Sequence, residues 1–231
     1  MSLDRESLSL LPQALDTLNA AFAHLPEHDP DQDLEGMKRV LDRVAQRMGD
    51  NYPYQHPLYA GQMLKPPHPV ARLAYALSMW INPNNHALDG GRASSAMEKE
   101  AVAKIAAMFG WSEHLGHLCG GGTMANMEAL WVAGRLRPNT ALAASSQAHY
   151  THARISEVLR LDFVEIPVDV RGRMDVKVLE TLLQRQEIGT VVATLGTTGL
   201  GAVDPLPEIL KLQKRYGFRI HADSAYGGYF S

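Results

Sequence analysis

The chain has 231 residues, 45% of them hydrophobic and 20% charged, with a formal net charge of −3. That apolar content suits a soluble globular chain with a substantial core, and the small negative charge lacks the basic footprint of a nucleic-acid or anionic-membrane partner. The single cysteine, Cys119, excludes an internal disulfide framework and agrees with a reducing compartment.

The N-terminus lacks the basic start and apolar run of a secretory signal, and no apolar segment is long enough to span a bilayer, so a cytoplasmic location is expected. Leu8 to Leu25 and Asp33 to Met48 read as two amphipathic helices, separated by the Pro-and-acid stretch Pro26 to Asp31. Their apolar faces need a partner surface, which either the same domain or a second chain can supply. Asn51 to Pro69 is irregular, because proline repeatedly blocks helix continuation; its polar aromatic character suits a substrate channel, but a packed surface loop is the preferred reading, and His56 and Tyr59 are assigned no role.

Val70 to Ile81 reads as a buried helix that ends before Asn82-Pro83. Ser95-x-x-Glu98 has the pattern of a capping box, with a helix running through Ala101 to Phe109 until Gly110 stops it. Glu98 and Glu100 do not share a helix face, so they form no carboxylate pair. His114, His117 and Cys119 are too close and too few for a zinc site, and no metal is expected.

Gly120-Gly121-Gly122-Thr123 precede Met124 to Leu136, a helix-forming segment with apolar residues at Met127, Leu130, Trp131 and Ala133. The first N–H groups of a helix are unpaired and lie at the positive end of its dipole, and glycines allow close approach, so this loop is a candidate phosphate cradle. It has neither the lysine of a P-loop nor the spacing of a dinucleotide fingerprint. The adjoining Cys119 reads as a small packed residue.

Beyond residue 138 strands and helices alternate: strand 141 to 144, helix 151 to 160, strand 162 to 168, helix 175 to 186, strand 190 to 195, helix 206 to 216, strand 218 to 223. Such repetition implies an α/β fold with a mainly parallel sheet covered by helices. Polar segments recur at the strand ends. They are Ser145 to His152, Gly196 to Gly199 and, after Phe218 to Ala222, the segment Asp223-Ser224-Ala225-Tyr226-Gly227-Gly228. Ligands of open α/β sheets bind at carboxyl ends of strands, which makes Asp223 a candidate cofactor contact, although Asp and Gly are also routine turn residues.

Six ordered motifs resemble the group II pyridoxal-phosphate-dependent decarboxylases, which include the glutamate and aromatic amino-acid decarboxylases. They are Asn82-Pro83-Asn84-Asn85, Met97-Glu98-Lys99-Glu100, Gly121-Gly122-Thr123-Met124-Ala125-Asn126, Ser146-Gln147-Ala148-His149-Tyr150, Ala193-Thr194-Leu195-Gly196-Thr197-Thr198 and the Asp223 segment. The resemblance implies an aspartate-aminotransferase-like large domain over residues 61–231, incomplete here, behind a helical N-terminal arm over residues 1–60 that packs across a homodimer interface.

It further implies pyridoxal 5′-phosphate as cofactor and an amino acid as substrate. Gly122, Thr123 and Met124 would hold the phosphate, His149 would stack on the pyridine ring, and Ala225 would pack on its other face. One of Thr197 and Thr198, with Thr198 preferred, would bond near the ring or the substrate carboxylate. Asp223 would face the pyridine nitrogen, where a carboxylate favours the protonated ring that accepts electrons from the substrate. His149, Asp223 and Thr198 are thus the expected catalytic residues, whereas His152 is only one of ten histidines, with no assigned role.

Family members bind their cofactor through a lysine in a Ser/Asp-Pro-His-Lys type segment some tens of residues past the aspartate. No lysine here follows Asp223, so the chain reads as the front part of a longer enzyme and is expected to be inactive alone. The implied reaction is decarboxylation of an L-amino acid to its amine. A carbon–carbon lyase of the sphingosine-phosphate type, an aminotransferase, and a noncatalytic cofactor-binding or dimerisation partner remain as alternatives.

Overall fold

A computed structural model describes residues 5–27, 32–61, 65–185 and 187–230. Positions 28–31, 62–64 and 186, which fall in the acidic linker, the proline-rich stretch and the end of one expected helix, lie outside the described residues. The chain divides between Ser94 and Ser95 into two compact units.

In the first unit the segment read as one helix from Leu8 is two, α1 (Arg5–Leu8) and α2 (Leu10–Ala21), with a turn at Ser9. Next comes α3 (Leu34–Met48), whose N-cap Asp33 accepts the Gly36 N–H at 2.8 Å. Pro69 opens α4 (Pro69–Ile81), and Asn82 ends it in the left-handed region at φ 45° before Pro83. The expectation that this helix is buried is not met: none of its residues is buried, and Tyr75, Met79 and Trp80 are exposed. An apolar helix is buried only where a partner surface meets it.

The boundary between the units falls in the first turn of α5 (Arg92–Met108). Ser95 therefore sits inside that helix rather than at its cap, and the capping-box reading is corrected. Glu98 instead accepts the backbone N–H of Leu118 at 2.7 Å.

The second unit then alternates as the pattern requires. In order come α6 (Gly122–Leu136), β1 (Ala141–Ser145), α7 (Thr151–Leu159), β2 (Phe163–Ile166), α8 (Val176–Leu183), β3 (Ile188–Thr194), α9 (Leu206–Tyr216) and β4 (Arg219–Asp223). All strand pairs are parallel, in the spatial order β2-β1-β3-β4. Every residue of β3 is buried, as expected of an inner strand of a parallel sheet covered on both faces.

Alternation of side chains along the strands separates two cores. Ala143, Ile166, Val191 and Ala193 pack with Leu179 of α8 and Ile209 and Leu212 of α9. Leu142, Ala144 and Val192 pack with Leu130 of α6 and Ile155 of α7. Because β1 has β2 on one side and β3 on the other, the strand order reverses there, and in open α/β sheets ligands bind at the carboxyl ends of strands beside such a reversal.

Candidate active site

Asp223 is the last residue of β4, in register with Thr194 of β3. The period of two places it on the same face as His221, the face covered by α6 and α7. Three donors meet its carboxylate. His152 of α7 approaches Oδ2 with Nε2 at 2.8 Å, Asn126 of α6 donates to the same oxygen from Nδ2 at 3.2 Å, and the Ala225 N–H donates to Oδ1 at 3.1 Å.

His221 Nε2 lies 2.8 Å from Asn126 Oδ1. With Nδ2 committed to the carboxylate, Oδ1 accepts, so His221 carries its proton on Nε2. Burial, reinforced by the neighbouring His152, pushes His221 down from 6.5 to about 4 against the pull of Asp223, so it is neutral at physiological pH. Burial pushes the Asp223 carboxyl up, but the hydrogen bonds from His152, Ala225 and Asn126 outweigh it and hold the group at about 2, below its ordinary 3.8. The result is a buried, fully ionised carboxylate at the end of a central-sheet strand.

The amino end of α6 lies beside it. Gly121 precedes the helix at φ +116°, a conformation that favours glycine, and no side chain caps the first turn. The N–H groups of Gly122, Thr123 and Met124 therefore lack intrahelical acceptors. A Cβ added to Gly122 would lie 3.4 Å from the Ala225 Cβ, which brings the glycine loop against the turn that follows Asp223. That turn also depends on Gly227, where a Cβ would fall 1.7 Å from the Leu195 carbonyl oxygen.

The loop after β1 carries His149, half-buried, with Nδ1 2.8 Å from the Thr151 hydroxyl. After β3, the buried Thr197 hydroxyl accepts the Ala202 N–H at 3.0 Å and shapes the loop, while Thr198 is exposed. Ala225 is exposed at the turn. Seven of the eight residues expected to form the site thus fall on loops or helix ends at the carboxyl edge of the sheet, and Asp223 ends a strand there.

Three residues had no expected role: His152, Asn126 and His221. For two of them helical period was the available signal, since His152 shares the inward stripe of α7 with Ile155 and Ser156, and Asn126 that of α6 with Leu130 and Ala133. A histidine and an asparagine on core-facing stripes need polar partners.

The edge also fits an anionic, ring-bearing cofactor. It offers an uncapped helix start for a phosphate, an ionised carboxylate for a protonated ring nitrogen, and a buried Thr194 hydroxyl without a partner among the described residues. A parallel, helix-covered sheet with such an edge defines the class as α/β.

Comparison with known proteins narrows the class. Residues 131–231 match the pyridoxal-dependent decarboxylase conserved domain. The chain is 31% identical over 196 residues to the L-aspartate decarboxylase of Thermococcus kodakarensis, covering 83% of this chain and 50% of that protein. It is 29% identical to the L-tyrosine decarboxylase of Enterococcus faecium, covering 84% and 43%. The crystal structure of mouse CSAD in apo form superposes with a TM-score of 0.76 at 26% identity, over 92% of this chain and 48% of that one. The chain is thus similar to pyridoxal-phosphate-dependent amino-acid decarboxylases, and it spans about half the length of the relatives it matches.

Proposed function

We propose that this chain forms the cofactor-binding front part of an enzyme that decarboxylates an L-amino acid to the corresponding amine and CO2. The observation that carries the reading is the juxtaposition of an ionised, buried Asp223 with the uncapped start of α6. Pyridoxal 5′-phosphate, when bound, supplies a ring that takes up the electron pair left as the carboxylate departs.

In this reading the N–H groups of Gly122, Thr123 and Met124 bind the phosphate. Asp223 holds the proton on the ring nitrogen, and its own low pKa keeps it charged throughout the physiological range. His149 and Ala225 bracket the ring, and His149 is suited to hold or move a proton near the reacting carbon. Thr197 supports the loop after β3. The Thr198 hydroxyl is left for the ring or the substrate carboxylate.

Substrate class follows the relatives' names to acidic and aromatic amino acids, and both belong in the first screen. A cytoplasmic homodimer is the working state we assign. Support comes from the exposed apolar residues Met37, Val40, Leu41 and Val44 of α3, which suit a second copy of the chain, and from the lack of any helix among the described residues long and apolar enough to cross a membrane.

Intact mass of the protein purified from its natural source, before and after borohydride reduction with pyridoxal phosphate, tests the reading. A mass above 25.4 kDa that gains one reduced cofactor, with amine and CO2 formed in equal amounts, is expected. A protein that neither retains the cofactor nor releases CO2 overturns it.

A further inference from the structure

The role of His152 goes beyond this reading while resting on it for the cofactor's identity. Its side chain is fully buried on α7, with Nε2 2.8 Å from Asp223 Oδ2 and an Nδ1 that has no partner among the described residues. A carboxylate only accepts, so Nε2 must donate. The geometry therefore places a proton on Nε2.

Asn126 donates to the same oxygen at 3.2 Å, and its amide is oriented by His221 on its other side. Oδ2 is thereby filled by two side-chain donors from two helices. Oδ1 receives a single donor, the Ala225 N–H, on the side where the glycine loop approaches. The titratable groups around Asp223 among the described residues are His152 and His221.

We infer that His152 is a positioning residue: by occupying Oδ2 of Asp223 together with Asn126, it turns Oδ1 toward the ring nitrogen of the bound cofactor and keeps that nitrogen protonated. His152 itself touches neither ring nor substrate in this scheme. It acts through the carboxylate, as a buried donor that holds Oδ2 in place.

The test uses the full-length protein with ring-15N-labelled pyridoxal phosphate, and the variants His152→Gln, which keeps an amide donor at that reach, and His152→Leu, which does not. In the apo protein, histidine 15N spectra should show His152 protonated at Nε2. In the loaded protein, the ring nitrogen of the wild type and of His152→Gln should stay protonated from pH 6 to 9. That of His152→Leu should lose its proton about tenfold more readily, roughly one pH unit lower.

A His152→Leu protein that binds the cofactor with an unshifted ring nitrogen would overturn the positioning role, whatever its stability or activity. So would an apo spectrum with Nε2 unprotonated. If the apo protonation is as expected but the wild type holds no cofactor, the cofactor assignment fails, and with it the role toward the ring, while the His152–Asp223 contact stands.

Discussion

The two faces of the sheet are built from the same strands and do different work. Toward α8 and α9 the packing is apolar, with Leu179, Ile209 and Val191 fully buried. Toward α6 and α7 the apolar cluster is smaller, and at the carboxyl end it gives way to the chain His152, Asp223, Asn126, His221. One face gains stability through area removed from water, about 25 cal/mol per Å². The other carries a charge that is costly to bury and is tolerable only because each oxygen has donors. A polar face of this kind is fragile to single changes, whereas an apolar face yields gradually.

That contrast is sharpest for Asp223→Ala, which strands His152 and Asn126 as buried donors. It should cost about 3–5 kcal/mol of unfolding free energy, measured by denaturant titration, in addition to abolishing decarboxylation. A loss under about 1 kcal/mol would mean that water already satisfies the network.

Acid should reveal the polar face next. His221 is held at about 4 when folded against 6.5 when free, so the unfolded chain binds its proton first. Its contribution is intact above pH 6.5 and falls as the pH is lowered toward 4, by roughly 3 kcal/mol. Asp223, held at about 2, adds a second loss only as the pH drops below 3.8. In His221→Asn, stability measured between pH 6.5 and 4 should vary less steeply than in the wild type; an unchanged slope would place the titration elsewhere.

On the apolar face, Ile209→Val removes one buried methylene and should cost about 1 kcal/mol by the same denaturant assay, with cofactor binding unchanged. The smallest effect is expected outside the sheet. Val40 of α3 is 62% exposed, so Val40→Ser should shift unfolding by less than about 0.5 kcal/mol. A larger shift that depends on protein concentration would show that a second copy covers this face.

Much of this architecture was legible in the chain. The strand and helix alternation beyond residue 138 came within a few residues of the observed elements, because burial on a two-sided parallel sheet favours apolar runs such as Val191 to Ala193. The glycine loop before α6 and the acid at the end of β4 were equally readable, since backbone conformation and strand ends are local properties. The apolar helix 70–81 misled on burial, as hydrophobicity states a need for cover and not the cover itself.

By itself, then, the sequence determined the order of elements, the resemblance to a family, and the positions of Gly122, His149 and Asp223 along the chain. Tertiary structure alone decided what surrounds the carboxylate. His152 and Asn126 stand 71 and 97 residues from Asp223 in sequence and reach it from two different helices. Side-chain hydrogen bonds over such separations arise from how helices dock on a sheet, and local periodicity records only which face turns inward, not which partner it meets there.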